Sequence, residues 1–352
     1  MNDTSGAQQR DSDGRLRHLL TLAGVSREEL SQLLDLAQFY VRLPGDVPAR
    51  DQSLAARTVA NLFFEPSTRT RVSFELAARR LGADVVNLDL HTSSRSKGES
   101  VLDTIYTLQA MQADVLVIRD AEPGIPALVA RHVAPHVSIL NAGEAHVSHP
   151  TQGLLDVLTI RQRKGDLGSL CVAIVGDVRH SRVARSAAQA LNTLGVGEFR
   201  LVAPAPLMPD AGEFPGAKRF DGLAAGIAGA DVIMSLRIQR ERMAEAQIPD
   251  TDAYFREFGI TRERLALAAP DAIVMHPGPM NRGVEIADDV ADGAESAIQQ
   301  QVTNGVAVRM AVLATVVRTS RYAISKPAGE PDDGKRTSRH HLRRRSRAAR
   351  AA

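Results

Sequence analysis

Five consecutive polar residues, Ser67-Thr68-Arg69-Thr70-Arg71, follow the apolar run Thr58 to Phe64 and the strand-breaking Pro66. Val72, Leu76 and Arg79-Arg80 continue at helical spacing, so Ser67 to Thr70 should open a helix. The N-terminus of a helix carries unpaired backbone N–H groups and a positive partial charge, and both attract oxyanions. Hydroxyls and guanidinium forks on the same turn add donors suited to a phosphate. The same residues also suit an ordinary Ser/Thr N-cap followed by solvated arginines.

Further candidates recur at the ends of apolar runs. Arg119 closes Asp114 to Ile118, at the carboxyl end of a predicted parallel strand, where α/β sheets keep their sites. A surface arginine is the equally simple reading. His149 precedes Pro150 at a predicted helix start, and Gln152 lies three residues on, on the same helical face. A second α/β unit begins at Leu170 to Val175 with a Gly176-Asp177 turn. Gly-x-Gly-x-x-Gly is missing after this strand, which argues against nicotinamide binding. Asp231 to Leu236 runs into Arg237-Ile238-Gln239-Arg240-Glu241-Arg242, either a charged helix start or a cationic partner for a carboxylate. Ala272 to Met275 ends in His276-Pro277-Gly278-Pro279, a stiff turn whose backbone carbonyls can face a ligand.

In this order the segments resemble the aspartate/ornithine carbamoyltransferase family over about residues 17 to 320. Ser67 to Arg71 is similar to that family's carbamoyl-phosphate loop, and His149-Pro150-Thr151-Gln152 and Arg237-x-Gln239-x-Glu241-Arg242 match two further signatures. The resemblance implies an α/β fold of two doubly wound parallel-sheet domains, one for carbamoyl phosphate and one for aspartate, linked by long helices. It places Ser67, Thr68, Arg69, Thr70, Arg119, His149, Gln152 and the carbonyls of Gly278 and Pro279 on carbamoyl phosphate. Arg69, Thr70, Arg119 and His149 become the catalytic set, with Lys97, Arg182, Arg237 and Gln239 on L-aspartate. The polar stretch His91 to Ser100, a solvated loop when taken alone, matches a segment that reaches into a neighbouring subunit. Ser93 and Lys97 would therefore act in trans, and a homotrimer with shared sites is implied. A larger assembly with regulatory or dihydroorotase-like chains stays open. The ornithine enzymes carry a His-Cys-Leu-Pro turn where this chain has His276-Pro277-Gly278-Pro279, which argues for aspartate, in a step of pyrimidine synthesis.

The rest of the sequence must position these residues. At 352 residues, with 44% apolar and 24% charged residues, the chain can bury two α/β cores. The single cysteine, Cys171, sits in an apolar run and excludes an intramolecular disulfide. No cofactor or metal is expected, since the carboxylates form no ligand cluster and arginines can supply the positive charge. No stretch is apolar enough to span a bilayer and the N-terminus lacks a secretory apolar core, so a cytosolic protein is expected. The net charge of +2 hides an asymmetry: Lys326 to Ala352 holds nine Lys/Arg against three Asp/Glu, and the remainder 34 against 38. That basic tail, 326–352, is expected to be disordered; it has no aromatic residues to stack on bases, which argues against nucleic-acid binding. Residues 1–16 are expected to be a disordered extension. Residues 17–160 should form the carbamoyl-phosphate domain, completed by a C-terminal helix at 296–320, and 161–295 the aspartate domain.

Overall fold

The computed structural model describes residues 8–88, 100–239 and 250–324. A capping box at Ser26 and Glu29 opens α1 (Arg27–Tyr40), which buries Leu30, Leu33, Leu34, Ala37 and Tyr40. A first sheet alternates with helices: β1 (Thr58–Phe63), α2 (Thr68–Arg80), β2 (Asp84–Leu88), α3 (Val101–Ala110), β3 (Val115–Asp120), α4 (Ile125–His132) and β4 (Ser138–Glu144). Its four strands are parallel, in the order β2-β1-β3-β4. β1, β3 and β4 are almost wholly buried, as near-continuous apolar runs in a parallel sheet should be when helices cover both faces.

The crossing helix α5 (Pro150–Lys164) has every residue from Pro150 to Ile160 buried. Beyond it lie β5 (Cys171–Val175), α6 (Arg182–Leu194), β6 (Glu198–Val202), β7 (Lys218–Phe220), α7 (Leu223–Ile227) and β8 (Val232–Ser235). They are followed by α8 (Thr251–Phe258), α9 (Arg262–Leu265), β9 (Ile273–Met275) and α10 (Asp288–Ala291). The second sheet is also parallel, in the order β7-β6-β5-β8-β9. The last described helix, α11 (Ile298–Ile324), returns to pack on α1, α2 and α5. The architecture is the expected one: two parallel-sheet α/β domains linked by long helices.

One local expectation is corrected. Residues 8–16 are tied into the fold: buried Gln9 offers Oε1 to the N–H groups of Leu20 and Thr21, and Arg10 forks onto Glu29. Polar composition suggested disorder there, but these long-range hydrogen bonds supply the order that an apolar pattern would otherwise supply. Asn141, Ala142 and Gly143 belong to β4. The Asn141 side chain satisfies Leu20 O, Glu144 and the Gly143 N–H, and β4 pairs with β3 across a register shift between Ile118 and Asp120. Thr251 opens α8 under an Asp250 cap. On α11, Val302 is 51% exposed, whereas Gln301, Asn304 and Arg309 are buried. Ser93, Lys97, Arg240 to Arg242 and the tail 326–352 lie outside the described residues.

Candidate active site

The carboxyl ends of both sheets face a cavity of about 610 Å³. Every sequence-predicted site residue among the described ones lines it: Ser67, Thr68, Arg69, Thr70, Arg119, His149, Gln152, Arg182, Arg237, Gln239, Gly278 and Pro279. Five arginines line it (Arg69, Arg119, Arg182, Arg237 and Arg309), against one carboxylate, Glu65, among the described residues. Such a site favours a multiply charged anion.

Pro66 ends the exit from β1 and Ser67 caps α2 with an extended backbone. The Ser67 hydroxyl makes no cap bond to the helix; it donates to Thr70 Oγ1 at 3.0 Å. The first-turn amides therefore lack their usual side-chain acceptor in a turn whose residues line the cavity, the makings of an oxyanion cradle. Arg69 crosses from this turn to Gly278, which has φ +63°, and a Cβ there would lie 1.8 Å from Arg69 Nη1. Glycine at 278 thus lets a guanidinium from one domain rest on a turn of the other. Partial burial, with the charge of Arg237 beside it, pushes the Arg69 pKa down.

Arg119 ends β3 and is 7% exposed. Its Nη1 donates to Ala142 O at 3.1 Å and its Nη2 to Glu65 Oε1 at 2.9 Å. Arg182, at the first turn of α6, forks onto the same carboxylate at 2.7 and 2.9 Å and also reaches Ala145 O. Glu65 therefore ties the second domain's Arg182 to the first domain's Arg119. Gly143, at φ +119°, makes the convergence possible, because a Cβ would meet Arg119 Nη1 at 2.5 Å and Arg182 at 3.3 Å.

His149 caps α5 and donates its N–H to Ser186 Oγ at 2.8 Å. Burial, followed by the charges of Arg119, Arg309 and Arg182, pushes its pKa well below the usual histidine value. The ring is neutral at physiological pH and can offer one N–H to a carbonyl oxygen without adding charge. Gln152 sits one turn on and donates Nε2 to Asp156 Oδ1 at 2.9 Å.

On the second wall, Arg237 and Gln239 follow β8 and are partly buried. Buried Asp177 accepts the Gln239 N–H at 3.2 Å and both the N–H and the ring of His180, coupling the β5 and β8 exits. The Pro277 to Pro279 turn is held by His276, whose Nδ1 accepts the Gly278 N–H at 2.8 Å, leaving Nε2 to Glu285 at 3.2 Å.

Sequence reasoning missed Glu65, Asp156, Gln301 and Arg309. Arg309 is 4% exposed, lies 5.0 Å from the Phe74 ring centroid and donates Nη1 to Gly305 O at 2.8 Å. Its burial pushes its pKa down to about 10. Polar residues inside the apolar pattern of α11 were the available signal. Among the described residues no group of three His, Cys, Asp or Glu is placed to hold a metal ion, and no helix is long and apolar enough to cross a membrane.

Residues 17–162 match the family model of the aspartate/ornithine carbamoyltransferase carbamoyl-P binding domain, and 169–316 that of the Asp/Orn binding domain. Among solved structures, aspartate transcarbamoylase from Trypanosoma cruzi in complex with N-(phosphonacetyl)-L-aspartic acid superposes with a TM-score of 0.77 at 31% identity, covering 88% of this chain and 98% of that one. Ornithine carbamoyltransferase from Thermus thermophilus matches with a TM-score of 0.74 at 27% identity over 86% and 99% of the two chains. The Pyrococcus furiosus ornithine enzyme gives 0.76 at 29% over 86% and 97%. With its two sheets, its arginine-lined cleft and both domain models matched in order, the chain belongs to the aspartate/ornithine carbamoyltransferase family.

Proposed function

We propose that the protein transfers the carbamoyl group of carbamoyl phosphate to the α-amine of L-aspartate, giving N-carbamoyl-L-aspartate and phosphate. The observation that carries the choice of acceptor is Arg237, with Gln239, lining the same cavity as the anion cradle and reached from the second sheet. An acceptor with a second carboxylate calls for a cationic, bidentate partner, whereas the cationic tip of ornithine would be repelled.

In this reading the α2 amides, Ser67, Thr68, Arg69 and Thr70 hold the phosphate. Thr70, Arg119 and neutral His149 donate to the carbonyl oxygen, and the carbonyls of Gly278 and Pro279 face the carbamoyl amide. The amine lone pair attacks the carbonyl carbon, negative charge grows on the oxygen, and the C–O bond to phosphate breaks as the tetrahedral state collapses, the nitrogen giving up one proton to the departing phosphate. Donors aimed at that oxygen are worth about 3–4 kcal/mol each in comparable sites. Arg182 and Arg237 orient the acceptor, and holding two anions in reacting geometry removes much of the entropic barrier. Lys97 joins the aspartate set, with Ser93 and Lys97 supplied by the neighbouring subunit of a homotrimer. Carbamoyl phosphate binds first, because its phosphate completes the acceptor site. The proposed setting is the cytoplasm and pyrimidine synthesis.

The test is product formation by the purified chain from carbamoyl phosphate with L-aspartate or L-ornithine, alongside its mass by light scattering. Aspartate-dependent product from a trimer or larger supports the reading. Turnover with ornithine alone rejects the role of Arg237 and Gln239, and an active monomer rejects the shared site.

A further inference from the structure

Asp156 is fully buried on α5, one turn beyond Gln152. Its Oδ1 accepts two amides, from Gln152 Nε2 at 2.9 Å and from Gln301 Nε2 at 2.8 Å, while Oδ2 has no partner among the described residues. The Gln301 carbonyl oxygen accepts the backbone N–H of His276 at 2.9 Å, at the foot of the Pro277 to Pro279 turn. This chain fixes which way each amide faces. The His276 N–H can only donate, so Gln301 must give it an oxygen and turn its NH2 to Asp156. A carboxyl group with Oδ2 unpartnered leaves Oδ1 as an acceptor whether or not Oδ2 carries a proton. Gln152 therefore also commits its NH2 to Asp156, and its carbonyl oxygen is left for the cavity that Gln152 lines.

We propose that Asp156 is a positioning residue that holds the Gln152 side chain as a hydrogen-bond acceptor, so that the site selects acyl phosphates bearing an NH2 group over isosteres bearing a methyl. The inference rests on the carbamoyl-transfer reading of the same cavity. A methyl in place of the NH2 leaves a desolvated acceptor unpaired, which sites of this kind penalise heavily. A freely turning glutamine amide offers either end, so losing the Asp156 acceptor erases the preference without removing the amide itself.

The test uses two stable analogues, phosphonoacetamide and acetonylphosphonate, which differ only in NH2 against CH3, with dissociation constants measured by calorimetry on the full chain. The unmodified protein is expected to favour the amide at least tenfold. Asp156→Asn, which keeps an acceptor at the Oδ1 position, should stay within threefold of that ratio. Asp156→Leu should bring it to within threefold of unity, and Asp156→Ala, with a smaller side chain to house, should do the same if the leucine variant does not fold. An equal weakening of both analogues in the leucine and alanine variants, with the ratio intact, would show a merely structural role and overturn the proposal. Failure of the unmodified chain to bind either analogue would instead reject the carbamoyl-phosphate reading of the cavity, and this inference with it.

Discussion

On the first-sheet wall of the cleft, Thr70, Arg119, His149 and Gln152 are each at most 8% exposed, and remote groups such as Glu65, Ser186 and Asp156 hold all but Thr70. The second-sheet wall ends in Arg237 and Gln239, which are only partly buried, and Asp177 fixes that strand exit through the backbone N–H of Gln239. The contrast fits the two tasks proposed for the walls. Stabilising charge on a reacting carbonyl oxygen requires donors that do not reorganise, whereas gripping an acceptor requires side chains that can close on it. Arg182 bridges the two designs: it comes from the second domain, yet is 6% exposed and locked to Glu65.

If the first wall is the catalytic one, Arg119→Met should lower kcat by about 10²–10³ with a smaller change in the acceptor KM, as expected when an oxyanion donor is lost. A change confined to KM would erase the distinction between the walls. Arg237→Met should do the reverse, raising the acceptor KM about 10- to 100-fold, the usual cost of a hydrogen bond to a charged group, while leaving carbamoyl phosphate binding within a few fold.

The rigidity of the first wall also has a cost that pH exposes. Burial pushes the Asp156 pKa up to about 7, against the opposing pull of Gln301 and Gln152. Its folded pKa exceeds the unfolded value of about 3.9, so the native state keeps a proton that the unfolded chain releases between those limits. Stability from this group is therefore fullest below about pH 4 and is lost as pH rises to about 7. Asp156→Asn removes the titration, and its stability relative to the parent should rise by about 2 kcal/mol between pH 5 and pH 8 in denaturant melts. A pH-independent difference would remove the ionisable group from the account.

The smallest effect is expected far from both walls. The Arg10 fork holds the Glu29 carboxyl down to about 2, so its contribution is present above the ordinary glutamate value and fades as pH falls from about 4.5 to 2. Arg10→Ala should cost less than about 1 kcal/mol at neutral pH, because both side chains are partly solvated, and should leave turnover unchanged. A larger loss, or lost activity, would mean that the N-terminal turn supports the cleft.

What was legible in the sequence was local. Ser67 to Arg71, Arg119, His149 and Arg237 each follow an apolar run, and a parallel sheet gathers the carboxyl ends of its strands on one edge. The hidden part depends on partners far apart in the chain. Glu65 and Arg182 are 117 residues apart, and Asp156 and Gln301 are 145. An acid inside an anion-binding loop, or a glutamine on an apolar helix, has no local rationale until the fold brings its partner. The same reason explains Asn141, whose side chain settles into β4 by donating to Leu20 O, 121 residues away, and accepting the Gly143 N–H.

The central claim is that one cleft holds the phosphate on one wall and a dicarboxylate acceptor on the other. It is tested most directly by titrating the purified chain with two bisubstrate compounds, a phosphonoacetyl group joined to the α-amine of L-aspartate or to the δ-amine of L-ornithine. The account predicts that the aspartate compound binds at least 10²-fold more tightly, because only there does the acceptor end present two carboxylates and no ammonium. Equal affinity, or tighter binding of the ornithine compound, would contradict it.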